Sequence, residues 1–152
     1  MKKTLIIMLL TSVFSFFARA QDYENGVGLR GGVNSGVVGT HFTSESNAIT
    51  GIVGMHPNYL SLTATFAWYK KAFDVERLNW YYGGGARLAI TDANYIYHST
   101  SPTIGLTGVI GIEYAIEDIP LAIGLDYYPT LTILPFFNYW GSDAAISIKY
   151  IF

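Results

Sequence analysis

Large apolar residues fall on every second position through long stretches of this chain, and small or polar residues fill the positions between them. In "YLSLTATFAWYK", Leu60, Leu62, Ala64, Phe66 and Trp68 share one face, opposite Ser61, Thr63, Thr65, Ala67 and Tyr69. In "TIGLTGVIGIEYAI", Ile104, Leu106, Ile110, Ile112, Tyr114 and Ile116 oppose a face that includes Gly105, Thr107, Gly111 and Glu113. "LAIGLDYYPTLTI" repeats the pattern with Leu121, Ile123, Leu125, Tyr127, Leu131 and Ile133 opposite Ala122, Gly124, Asp126, Tyr128, Thr130 and Thr132. A period of two is the signature of a strand with different surroundings on its two faces.

The smaller face is the informative one. A soluble sandwich would place Lys, Glu and Gln toward water. Gly, Ser, Thr and Ala with a few isolated charges suit the inside of a narrow barrel instead. The bulky face then meets lipid, where every backbone group must be paired within a closed sheet. The composition agrees: 51% of residues are hydrophobic and 13% charged, against about 25% charged in an average soluble domain. Turn signals at 34–36, 43–47, 56–58, 74–77, 93–102, 117–120 and 134–141 divide the chain into eight strands, at 25–33, 36–43, 47–56, 59–73, 79–92, 103–116, 120–134 and 141–152. Whether 25–33 and 36–43 are two strands or one bulged strand stays open. The fold class expected is all-β, an eight-stranded antiparallel up-and-down transmembrane barrel.

The first twenty residues are a separate object. Lys2 and Lys3, the apolar run Thr4 to Phe17 and the small-x-small "ARA" of Ala18 to Ala20 have the form of a secretory signal peptide cut after Ala20. That divides the chain into a signal at 1–20 and a barrel domain at 21–152. Losing Lys2, Lys3 and Arg19 leaves 6 Lys+Arg against 11 Asp+Glu, a net charge of −5, and no basic stripe for nucleic acid. There are no cysteines. His41, His56 and His98 have no metal-ligand spacing between them, so no metal or cofactor is expected.

The chain ends "AAISIKYIF", a strand pattern running into Phe152. Ala144, Ile146, Ile148, Tyr150 and Phe152 form its lipid-facing row. With both termini in the periplasm, Trp68, Trp80, Tyr114 and Tyr150 fall near one membrane edge, and Tyr59, Phe136, Phe137, Tyr139 and Trp140 near the other, as two aromatic belts. This ending resembles the C-terminal signal of Gram-negative outer-membrane barrels, with Tyr150 and Phe152 as its aromatic positions. In size and strand number the chain is similar to the small eight-stranded OmpX/OmpA-type barrels. The resemblance implies localisation in the outer membrane, contact with its lipids, and biogenesis with periplasmic chaperones and the barrel-assembly machinery. It implies a surface protein with a structural, adhesive or protective role.

The inward set holds four charges: Arg30, Arg87, Glu113 and Asp126. In a narrow barrel they should pair and form a filled polar plug, with a transport or sensing path as the alternative; Arg87 and Glu113 are one candidate couple. "GVGLRG", Gly26 to Gly31, matches a dinucleotide fingerprint but lacks the following helix. "YYGGGAR", Tyr81 to Arg87, lacks the Lys-Ser/Thr of a phosphate loop and reads as a curved strand covered by aromatics. A lipid A-modifying enzyme, deacylase or acyltransferase, is the second function class. It would use His98 with Ser99 or Thr100, and Asp92 as a nearer acidic partner than Glu113. The expectation is a non-enzymatic barrel.

Overall fold

The computed structural model describes residues 23–57, 59–91, 102–135 and 138–152, with backbone alone at 91 and 138–142. The expected signal segment at 1–20 lies outside the described residues. Eight strands follow in order: β1 (Asn25–Gly32), β2 (Ser35–Ser44), β3 (Asn47–His56), β4 (Tyr59–Lys71), β5 (Leu78–Thr91), β6 (Pro102–Ala115), β7 (Leu121–Leu134) and β8 (Asn138–Ile151). Each pairs antiparallel with the next, and β8 pairs back onto β1. The chain is therefore a closed, eight-stranded, antiparallel all-β barrel, as the alternation predicts. Closure leaves no edge strand to template association.

β1 and β2 are two strands, each with its own partner, β1 lying between β2 and β8. Most strand ends fall within a residue of those expected, and two do not. β4 stops at Lys71 rather than 73, because Phe73 and Asp74 take φ of 52° and 54°, a left-handed backbone that cannot continue a ladder. β8 begins at Asn138 rather than 141. Its ladder with β7 shifts between Thr130 and Leu131, which pair with Gly141 and Tyr139, so Trp140 is an extra residue. A bulge of this kind interrupts the period of two and disguises a strand as a loop.

The register closes with a stagger. Val27 pairs with Tyr150 across the β1–β8 seam, whereas successive partners in the other direction lead through Gly39, Gly51, Ala64, Ala86 and Leu106 to Leu131 and Tyr139. A staggered closure requires strands tilted to the barrel axis. Pro129 lies inside β7 without an N–H to offer β6, and the β6–β7 ladder is interrupted there. Thr107 compensates: its hydroxyl donates to the Pro129 carbonyl at 3.2 Å and accepts from Thr130 at 3.1 Å.

Burial alternates with sequence parity and is inverted relative to a soluble protein. On β1, Leu29 is 71% exposed while Arg30 is 2% exposed. On β4, Ser61, Thr63, Thr65, Ala67 and Tyr69 are buried, and Leu60, Leu62, Phe66 and Trp68 stand outside. Exposed large apolar side chains stand on all eight strands, but β2 contributes only Val37, beside Ser35, Gly39, His41 and Thr43 on its outer face, so the apolar surface extends around most of the barrel. The core is its interior.

Candidate functional site

Charged and polar groups from many strands converge in the barrel interior. At the end opposite the termini, Arg30 on β1 is the hub. Its Nη2 donates to Asp126 Oδ1 at 2.7 Å, and its Nη1 donates to Asp143 Oδ2 at 2.9 Å and to the Asn34 carbonyl at 2.9 Å. Its guanidinium also stands 5.0 Å from the centre of the Tyr128 ring, a cation–π contact in a desolvated site. Asn34, in the β1–β2 turn, folds inward: its N–H donates to Asp143 Oδ1 at 3.2 Å and its Nδ2 donates to Ser61 Oγ at 2.6 Å. Arg87 on β5 lies 3.8 Å from Asp143 Oδ2. Arg87 also donates to the Tyr59 hydroxyl at 3.5 Å, and the Tyr59 ring stacks on His56.

A second charged couple lies toward the terminal end. Glu113 on β6 pairs with Lys149 on β8 and accepts a hydrogen bond from the Tyr23 hydroxyl. Lys149 Nζ also donates to Thr40 Oγ1 at 3.2 Å. Above Tyr23 runs a chain of aromatic rings, Tyr23 edge-on to Phe42, Phe42 tilted against Tyr69 and Tyr69 stacked on Tyr81, with ring centres 4.6 to 5.1 Å apart. The Tyr81 hydroxyl donates to Asp126 Oδ2 at 3.4 Å, so the stack joins the two charged layers. Glycine makes room for it: a Cβ on Gly111, opposite Tyr81, would lie 2.6 Å from the tyrosine oxygen.

All four charges expected inside are buried there, but the couples differ from expectation. Arg87 and Glu113 are not partners. Gly105 is opposite Arg87, and Glu113 lies eight positions further along β6, roughly 26 Å at about 3.3 Å per residue. The true counter-charges are Asp143 and Lys149, both inward and both absent from the sequence-derived set. Their signal was present: they share the parity of Ser147, opposite to Ala144, Ile146, Ile148 and Tyr150. With them, the described interior holds Arg30, Arg87 and Lys149 against Glu113, Asp126 and Asp143, three charges of each sign. Paired and hydrogen-bonded, such groups can remain ionised away from water; unpaired, they could not.

The remaining expected residues are distributed as follows. Trp68, Trp80, Tyr114 and Tyr150 are exposed on the outer wall toward the terminal end, with Trp68 and Trp80 both stacked on Tyr82. Tyr59 does not join an outer belt at the opposite end. It has the inward parity of Ser61 and Thr63, and its ring lies 5.6 Å from the Arg87 guanidinium. Of the other belt residues, Phe136 and Phe137 lie outside the described residues, and Tyr139 and Trp140 are placed only as β8 backbone. Phe152 is 63% exposed, and its N–H and C=O both pair with Asn25 at 2.8 Å. His98, Ser99, Thr100 and Asp92 lie outside the described residues.

Among the described residues the interior charges balance, three of each sign. Among the described residues no three His, Asp or Glu side chains gather as metal ligands. A scan against known protein-family models finds no match to this chain, and a search of characterised proteins finds none either.

Proposed function

We propose that the chain is an integral outer-membrane β-barrel of a Gram-negative bacterium, exported by its N-terminal signal and delivered by periplasmic chaperones to the barrel-assembly machinery. Its polar interior is a structural plug rather than a conduit, and its role at the cell surface is structural, adhesive or protective, without catalysis. This is the function class of the OmpX/OmpA-type barrels that the sequence resembles.

The observation that carries the reading is the inversion of polarity around a closed sheet. An apolar surface that extends around most of a molecule far exceeds the few hundred Å² that a soluble monomer exposes. On β6 the outward apolar row runs from Ile104 to Tyr114. Ten residues are roughly 33 Å along a strand, and a tilt of about 40° reduces this to roughly 25 Å, the height of the apolar band of a membrane barrel. The plug is supported by two balanced charge layers and the aromatic stack between them. No observation among the described residues favours the lipid-modifying alternative.

The test is heat-dependent mobility together with insertion. Residues 21–152, refolded with phospholipid vesicles, should migrate differently on a denaturing gel before and after boiling and should float with the vesicles. Identical migration, with full solubility in plain buffer, refutes the reading.

A further inference from the structure

We propose that the outer wall over β5 to β8 carries a site for one glycerophospholipid with an anionic head group, at the end of the barrel where the termini lie. This deepens the membrane reading above and rests on it.

The wall there is uneven. Trp80, Ile112, Leu125 and Tyr127 stand outward around Ala144, and the short alanine leaves a groove of about 610 Å³ lined almost wholly by carbon. The register makes the lining continuous, since Trp80 pairs with Ile112, Ile112 with Leu125, and Tyr127 with Ala144. A half-open, predominantly apolar trough on a lipid-facing wall accepts an acyl chain.

One end of the groove is cationic. Lys71 lines it, and the Lys70 ammonium stands 5.9 Å from the Trp80 ring centre and 5.7 Å from that of Tyr82. Neither lysine forms an ion pair among the described residues. The neighbouring cation is already engaged: Arg77 donates to the carbonyls of Ile116 and Glu117. The Lys70 ammonium over the tryptophan and Lys71 at the groove's edge suit a phosphodiester at the interfacial depth where Trp and Tyr anchor. The other turns at this end carry Glu45, Glu117 and Asp118, and at the β4–β5 turn itself Lys70, Lys71 and Arg77 outnumber Asp74 and Glu76, so an anionic head group is favoured at this turn over the others.

The β4–β5 turn supports the assignment independently. Phe73 lines the groove, is 86% exposed, and is held at φ 52°. Bulky residues seldom adopt that conformation, and the turn uses it to place a large apolar side chain where the head group meets the acyl chain.

The probe is brominated phospholipid, which quenches tryptophan on contact. A chain retaining Trp80 as its only tryptophan, through Trp68→Phe and Trp140→Phe, is inserted into phosphatidylcholine vesicles containing a minor fraction of phosphatidylglycerol. Bromine is placed on one lipid or the other. Brominated phosphatidylglycerol should quench Trp80 well beyond its mole share. Lys70→Gln and Lys71→Gln should each lower that enrichment by roughly fivefold at low salt, the scale of attraction between one basic side chain and anionic lipid. Both variants should keep the heat-dependent gel mobility, since both side chains are exposed. Quenching in proportion to mole share, or an enrichment that survives the double lysine variant, overturns the site. Absence of quenching by either brominated lipid instead refutes the membrane reading on which the site depends.

Discussion

Lys149→Met should be among the most damaging single changes in the barrel, and the reason lies in one couple. The side chains of Lys149 and Glu113 are 3% and 2% exposed. Without the ammonium, the Glu113 carboxylate keeps, among the described residues, the Tyr23 hydroxyl as its donor. Breaking a buried ion pair from one side typically costs about 3–5 kcal/mol, because the remaining charge has no partner and little water. Glu113→Gln should cost a similar amount from the other side. The double variant should be far more stable than the sum of the singles implies, giving a coupling of at least about 2 kcal/mol, roughly thirtyfold in the folding equilibrium. Arg87→Ala is the control. Its partner Asp143 retains hydrogen bonds from Arg30 and from the Asn34 N–H. Arg87 and Glu113 also sit at opposite ends of the interior, so their effects should add to within about 0.5 kcal/mol. The assay is reversible urea unfolding in phospholipid vesicles, followed by tryptophan fluorescence for the two couples. A Lys149–Glu113 coupling below about 0.5 kcal/mol would show the pair to be solvated and the plug description to be wrong. Strong coupling between Arg87 and Glu113 would show the strand register to be wrong.

Three further outcomes are expected. Leu106→Lys, at an outward position on β6 that is 56% exposed, should cost about 2–4 kcal/mol in vesicles if that position faces the bilayer midplane, whereas a water-facing wall would show almost no change in the urea midpoint. Gly111→Val places carbon where the Tyr81 ring lies, so unfolding titrations should show a loss of about 1–3 kcal/mol from overpacking; a loss no larger than that of Gly39→Val, where a Cβ meets nothing within 4 Å, would contradict the stacked interior. Phe152→Ala keeps the backbone pair with Asn25 and should cost at most about 1.5–3 kcal/mol by area; if Phe152 is read during assembly, outer-membrane yield in cells should fall sharply while refolding of the purified chain stays near normal, and equal yields would leave the residue with only its packing role.

The interior also explains how so narrow a barrel can carry six charges. Each cation lies beside a carboxylate contributed by another strand, and the tyrosines supply both apolar faces and hydroxyl donors between the layers. Losing one member exposes its partner to the full cost of burial without water. The two charge layers are linked through the Tyr81–Asp126 hydrogen bond, and substitutions within one layer should act mainly on that layer.

Much of the fold was legible in the sequence because it depends on local properties. Parity along one strand decides which side chains share a face, and the turn residues of "TSESN" and "EDIP" decide where strands end. Hence the strand number, the closed antiparallel order and the inward placement of Arg30, Arg87, Glu113 and Asp126 could be read directly. Lys149 and Asp143 carry the same inward parity on β8 as Ser147, beneath a more conspicuous aromatic outer row. The bulge at Trp140 could not be read, because one extra residue cancels the period that reveals a strand. Nor could the couples be read from any one strand: Lys149 reaches Glu113, and Arg30 reaches both Asp126 and Asp143, across distances in sequence that only barrel closure makes short. Alternation is a property of one strand in its solvent, whereas pairing depends on the relative register of strands far apart in the chain. That register is set by turn lengths, bulges and the stagger at which β8 meets β1.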